Sequence, residues 1–285
     1  MNWKRLEAAD LPEAIRFIGE KEWVCLHLVT RLLKKERTQR IEPDWIWMGY
    51  RDGRPSGILY VSAQGLLLPY LPFLEDSPSI PLETLQPLKQ SIGDKTSRIY
   101  SIVGKRTYVQ AMERLFRFTE GVCVDYHLMT RSSSSPLPFP AEVPSLRIRK
   151  ATTADVDRLL PLQILYEKEE VLIRPDLANP EKTRKDLILA LQEQVIFLGE
   201  YEGKTVTKAG TNARGIRFEQ IGGVFTDPLY RGRHFARSLM VRLLTHIHGE
   251  GKNACLFVKT RNRVALHLYE ELGFQIRDAF RIHYL

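Results

Sequence analysis

Between Thr226 and Ala236 the chain reads Thr-Asp-Pro-Leu-Tyr-Arg-Gly-Arg-His-Phe-Ala, an Arg-Gly-Arg step set between an apolar run and a helical pattern. The run Ile221–Thr226 reads as a strand that stops at Pro228. From Ala236 the apolar residues Leu239, Met240, Leu243, Leu244 and Ile247 recur on one helical face, and Gly249 and Gly251 close it. A helix beginning near Phe235 leaves the amides of Gly232 to Ala236 without intrahelical acceptors, at the positive end of the helix dipole. Such a turn can hold a phosphate. Gly232 lets the backbone approach closely, and Arg231 and Arg233 add charge where a diphosphate would sit. The same residues also fit a basic helix start that faces solvent.

Beyond the turn come a continuous apolar run, Ala254–Val258, then Asn262, then a helix carrying Ala265, Leu268, Tyr269 and Leu272 and closed by Gly273. Residues 224–236, followed by Asn262 to Ala265 and Leu268 to Phe274, resemble the two signature motifs of the GNAT-type N-acetyltransferases. The family pattern Arg/Gln-x-x-Gly-x-Gly/Ala is matched at Arg231 and Ala236, with His234 in place of the middle glycine. Histidine is among the non-glycine residues enriched at positive φ, so a remodelled cradle is expected there.

The resemblance implies acetyl-CoA as co-substrate and no metal. It places the cofactor on Val224, Phe225 and Thr226, on the turn Arg231, Gly232, Arg233, His234, Phe235 and Ala236, and on Asn262. It also puts the general acid at Tyr269, since a phenol of pKa about 10 can protonate a thiolate. For the base the reading favours Glu219, on the strand expected to face the acceptor groove, with Tyr284 and the carboxylate of Leu285 as alternatives. A glutamate that merely faces solvent stays open. A backbone amide near Phe225 would meet the oxyanion. Asn262 fits a helix N-cap equally well. Tyr166, Glu167, Glu169 and Glu170 read either as amine-binding groups or as a solvated acidic face.

These residues need a frame. The implied fold class is α/β (α+β): two GNAT-like domains, each a mixed, mostly antiparallel twisted sheet flanked by helices, the C-terminal one with a splayed strand. The phase of alternation changes between Phe218 and Phe225, which predicts a bulge near Gly222-Gly223. In the first half, Trp45–Tyr50 and Ser56–Val61 flank Asp52-Gly53, a hairpin signal, and the aromatics Trp45, Trp47, Tyr50 and Tyr60 read as core rather than as a base-stacking face. A strand is expected over Arg98–Val103, and helices open at Asp10, read as a cap, and near Asp155. Asp10-Leu11 pairs with Asp155-Val156 and Val103–Arg106 with Val258–Arg261, so the chain reads as an internal duplication. Thr107 stands where Asn262 does, and no Arg-Gly-x-x-x-Ala turn occurs in the first copy. The expected division is 1–131 as a degenerate domain, 132–145 as a Ser/Pro-rich linker and 146–285 as the transferase, ending in a closing hairpin.

Composition narrows the partners. The 285 residues carry a net charge of +8 and 44% apolar content, enough for real cores and favourable to anions. No apolar run approaches the roughly 18 residues that span a bilayer, and no signal-peptide pattern opens the chain, so a soluble, cytoplasmic protein is expected. Cys25, Cys123 and Cys255 are odd in number and lack metal-binding spacing. A small-molecule or peptide amine is the expected substrate; a membrane partner is not expected, nucleic acid is disfavoured, and a homodimer is allowed. The competing readings are a non-enzymatic CoA-binding protein and an aminoacyl-tRNA-dependent peptide transferase.

Overall fold

The computed structural model describes all residues but Glu20, 77–81 and 138–142, and the side chains of all of these except 76, 82–83 and 94–95. Two compact units result: Met1–Leu128 with Val258–Arg261 and Ile276–Leu285, and Met129–Phe257 with Asn262–Gln275. Among the described residues no helix is long and apolar enough to cross a membrane.

The first unit runs β1 (Asn2–Arg5), α1 (Leu11–Gly19), α2 (Leu26–Thr38), β2 (Trp45–Arg51), β3 (Arg54–Val61), β4 (Leu66–Tyr70), α3 (Phe73–Asp76), α4 (Gln86–Ile92), β5 (Ser101–Lys105), α5 (Arg106–Phe116) and β6 (Val122–Arg131). Strands β1 to β4 form an antiparallel meander, and β5 joins parallel to β4. Asp52 and Gly53 both take positive φ in the β2–β3 turn, which is why an Asp-Gly pair stands there. Trp47 and Tyr60 are buried, as a core reading requires.

In the second unit the order is β7 (Leu146–Lys150), α6 (Val156–Tyr166), α7 (Pro180–Glu193), β8 (Ile196–Tyr201), β9 (Lys204–Arg214), β10 (Phe218–Thr226), α8 (Phe235–Gly249), β11 (Asn253–Lys259) and α9 (Arg263–Glu271). Again four strands pair antiparallel in sequence, β7 to β10, and β11 joins parallel to β10. Glu202 and Gly203 repeat the positive-φ pair between β8 and β9. The predicted face of α8 is the buried one: Leu239, Met240, Leu243, Leu244 and Ile247 are all fully covered, each worth about 1.5–3 kcal/mol.

The repeat extends to single hydrogen bonds. Asp10 is not the cap of the first helix; its carboxylate accepts from the amide of Glu7, three residues earlier, and from Lys4 on β1. Asp155 does the same in the second unit, accepting from the amide of Thr152 and from Arg149 on β7. Both aspartates close a capping box on a short 3-10 turn that leads into the helix.

Three expectations need correction. Residues Gly93–Arg98 form a 3-10 turn, so the strand expected from Arg98 begins only at Ser101. No closing hairpin follows α9: Gln275–Tyr284 is one strand, β12, which pairs antiparallel with β5 from Phe280↔Lys105 to Tyr284↔Ser101. The chain's last residues therefore belong to the first unit, and the division at 146–285 does not hold at its C-terminal end. No local signal separates a strand that folds back from one that pairs with distant chain. The Ser/Pro-rich stretch is also tied down at its start. The buried Arg131 guanidinium donates to the carbonyls of Ser132, Ser135 and Pro136 and to that of Leu272 at the end of α9. The rest of that linker, 138–142, and the middle of the proline-rich loop after Pro72, 77–81, lie outside the described residues.

The two capping aspartates give a stability test. The Arg149 guanidinium holds the Asp155 carboxyl below the usual carboxylate range, and the Glu7 amide with Lys4 does the same for Asp10. A depressed folded-state pKa stabilises above the unfolded value and is lost as pH falls. Asp155→Asn is expected to cost about 1–3 kcal/mol in urea denaturation at neutral pH, and Asp10→Asn, with a more exposed partner pair, less. Both penalties should fade as the pH drops below about 4.

Candidate active site

Strand β10 prepares the site by coming apart from its neighbour. Among the described residues its parallel pairing with β11 runs from Phe218↔Asn253 to Ile221↔Leu256 and stops there. Pairing with β9 continues, but its register shifts between Gly222 and Phe225, where Gly223 takes φ +61. The expected bulge is present, and it leaves the edge of Val224–Thr226 turned away from β11.

The strand then ends in a built turn. Asp227 accepts from the amide of Leu229 and caps the 3-10 turn Pro228–Tyr230. Gly232 adopts φ +78, and His234 adopts φ +59 and ψ 14 as the N-cap of α8. The first bond of the helix ladder runs from the amide of Ser238 to the carbonyl of His234, so the amides of Phe235, Ala236 and Arg237 stand ahead of it. The guanidinium of Arg233 is held between the rings of Tyr201 and Tyr230, 5.6 and 5.5 Å from their centres.

One cleft of about 510 Å³ collects these groups. Its walls include Val224, Phe225, Thr226, Arg231, Gly232, Arg233, His234, Phe235, Ala236, Asn262 and Tyr269, residues taken from three separate segments of sequence. Asn262 takes the cap role that its sequence allowed. Its side-chain oxygen caps α9 at the amide of Ala265, and its nitrogen reaches Glu170 at 3.3 Å. Tyr269, two turns further on and 7% exposed, packs against Phe274, and burial raises the pKa of its phenol. The phenol therefore keeps its proton through the neutral range.

The acidic stretch after α6 divides between readings. Residues Glu167–Val171 wind as a π-helical turn, which carries Glu169 and Glu170 to the cleft wall. Arg231 pairs with both oxygens of Glu169 at 2.8 Å, the two side chains 46% and 43% exposed. A pair so open to water contributes at most about 1 kcal/mol, so an anionic ligand can take the guanidinium from Glu169 at small cost. Glu167 faces elsewhere and accepts from Gln163 and Thr183.

Glu219 is not where the sequence placed it. Its side chain is 0% exposed, one oxygen accepts from Arg214 at 2.8 Å and Lys252 at 3.1 Å, and it is absent from the cleft wall. Lying on β10 does not fix which way the side chain points, because the register with β9 shifts between Gln220 and Ile221 and again between Gly222 and Phe225. Tyr284 and Leu285, the alternative bases, lie in the first unit.

What sequence reading missed is Lys208. It too is not part of the cleft wall, but it sits opposite the wall residue Phe225 in the β9–β10 register, is 5% exposed, donates to the carbonyl of Gly223 at 2.9 Å and lies 4.2 Å from the centre of the Tyr166 ring. Burial lowers its pKa to about 7. The available signal was a lone lysine within the strand Thr205–Thr211, a residue type rarely buried without a partner.

Comparison with known proteins agrees with this frame. The family described as FR47-like protein matches residues 198–282. No curated protein matches the chain. An acetyltransferase of the GNAT family from Colwellia psychrerythraea is similar over 100% of both chains, at 12% identity and TM-score 0.60. A Drosophila protein is similar over 99% of this chain and 98% of its own, at 11% identity and TM-score 0.73. A tandem GNAT protein from the clavulanic acid biosynthesis pathway is similar over 100% and 98%, at 10% identity and TM-score 0.53.

Lys208 carries a prediction of its own. Since its folded-state pKa is depressed from the ordinary 10.5, the unfolded chain binds the extra proton between about pH 7 and 10.5, and stability rises with pH across that window. Lys208→Met should be more stable than the parent below about pH 7, by about 1.4 kcal/mol for each pK unit of depression, and should lack the rise. Urea denaturation of both proteins at about pH 6 and about pH 9 measures it.

Proposed function

From a chain that carries the fold of the GNAT superfamily, in tandem, we propose that the second unit is an N-acetyltransferase that moves an acetyl group from acetyl-CoA to a primary amine by direct attack. The single observation that carries this reading is the convergence, in one cleft, of a splayed strand edge, a helix N-terminus flanked by arginines, and the Asn262–Tyr269 face of α9. Each matches a different part of one elongated ligand.

The amides ahead of α8 and the guanidinium of Arg231, released from Glu169, receive the diphosphate. The free edge of Val224–Thr226 pairs with the amide-bearing pantetheine arm, which Asn262 also meets. The acceptor nitrogen attacks the thioester carbonyl, and a backbone amide of the bulged segment near Phe225 receives the oxyanion. When the carbon–sulfur bond breaks, Tyr269 delivers its proton to the thiolate. The amine must also lose a proton. We assign that task, through water, to Lys208 rather than Glu219: Lys208 stands opposite the wall residue Phe225 and a pKa of about 7 leaves a neutral amine available, whereas Glu219 is neutralised by two cations.

Calorimetric titration should give micromolar or tighter CoA binding by the parent protein, weakened about 10–100-fold in Arg231→Ala. Unchanged affinity in Arg231→Ala and Gly232→Ala would defeat the assignment of the turn. In a thiol-release assay across an amine panel, with products identified by mass spectrometry, Tyr269→Phe should lower kcat about 10²–10⁴-fold while CoA affinity holds. Lys208→Met should lower kcat and remove an acid limb near pH 7.

A further inference from the structure

The first unit contains a cluster that the cleft does not use. Glu113 on α5, Cys123 on β6 and His283 on β12 bring a carboxylate oxygen, a thiol sulfur and a ring nitrogen within 4.8 Å of one another, β6 and β12 being neighbours in the sheet. His283 is 4% exposed. Its Nε2 lies 2.8 Å from the carbonyl oxygen of Glu120, which can only accept, so Nε2 carries a proton and Nδ1 is the ring nitrogen that faces the cluster. Nδ1 has no hydrogen-bond partner, yet it stands 3.0 Å from Oε1 of Glu113. Two acceptors at that distance repel unless something positive lies between them.

We propose that Glu113, Cys123 and His283 form a binding site for a divalent transition-metal ion of the zinc type. The donor set, one thiolate, one imidazole and one carboxylate, is the kind that selects zinc over magnesium or calcium. Ligands about 2.0–2.1 Å (N, O) and 2.3 Å (S) from a tetrahedral ion lie about 3.3–3.6 Å apart; Sγ of Cys123 is 3.6 Å from Oε1 of Glu113, and Nδ1 of His283, at 3.0 Å, would move outward by a few tenths of an ångström to admit the ion. The Nε2–H to the Glu120 carbonyl is the outer-shell bond that orients a ligating histidine. Charge balances as well. Arg281 makes a two-bond pair with Asp125, at 2.8 and 3.1 Å, and reaches only Oε2 of Glu113, at 3.6 Å, so Oε1 of Glu113 and a Cys123 thiolate are the anionic donors left to a divalent ion. Cys123 is exposed, which supplies an entry path and an open fourth position for water. This assignment is independent of the activity proposed for the second unit.

The test is a titration of the full chain, stripped with a chelator, with cobalt(II) and zinc(II). One equivalent of cobalt should produce a thiolate charge-transfer band and tetrahedral visible bands, and zinc should displace it. Cys123→Ser should abolish the band, and His283→Gln should weaken zinc binding by more than the roughly 100-fold lost when an outer-shell partner is removed. Cys255→Ser, at a buried cysteine that is not one of the three donors, should leave both signals intact. Absence of the band in the parent overturns the proposal and identifies an imidazolium–carboxylate pair instead; its persistence in Cys123→Ser overturns it by showing that another cysteine holds the ion. Because Cys123 is exposed, its serine variant can decide the question even where the histidine variant fails to fold, as circular dichroism would reveal.

Discussion

The backbone must pass through positive φ twice, at Gly232 and His234, to bring α8 onto the end of β10 with its first amides facing outward. A helix N-terminus always carries donors outside its own ladder. Whether they face a cleft or a neighbouring side chain depends on the turn that leads in. Here the turn is held by local bonds, Asp227 to the Leu229 amide and Arg231 to the Thr226 carbonyl, and by the Arg233 guanidinium between two tyrosines. The donors are thus ordered without a ligand, and a ligand would not have to bear that ordering cost.

The same frame is built twice, but the turn only once. Each unit opens with a strand, closes a capping box on an aspartate, makes a hairpin through two positive-φ residues and ends its meander in a parallel pair. After β4 the first unit continues with Leu71-Pro72 and the four-residue α3, and among the described residues there no glycine-bearing turn opens a long helix. After β10 the second unit has Arg231-Gly232-Arg233-His234 and the fifteen-residue α8. Repetition preserved what holds a sheet and helices together, which many sequences satisfy. A phosphate-sized cradle demands particular residues at particular φ, and one copy has them.

Much of this was legible because it is local. The α8 face follows from 3.6-residue periodicity, the Asp52-Gly53 turn from the positive φ it requires, and the β10 bulge from a change of phase in alternation. His234 in the left-handed region is a similar case, since its side chain is among those that tolerate αL. Glu219 was misplaced because its strand was legible but not the direction of its side chain, which Arg214 and Lys252 hold only once the sheet has formed. Lys208 was overlooked because its neighbours, Gly223 from β10 and Tyr166 from α6, come from other segments. The π-helical turn that carries Glu169 to Arg231 has no signature in spacing.

What the sequence determined by itself is therefore the set of elements, their repetition, and the residues of the Arg231–Ala236 turn, all governed by backbone preferences within a few residues. Tertiary structure decided which charges are buried, which carboxylate lost its place in the cleft, and that β12 pairs with β5. It also decided that Glu113, Cys123 and His283 meet. Desolvation and strand partnership depend on chain that is distant in sequence and adjacent only after folding, so no local pattern encodes them.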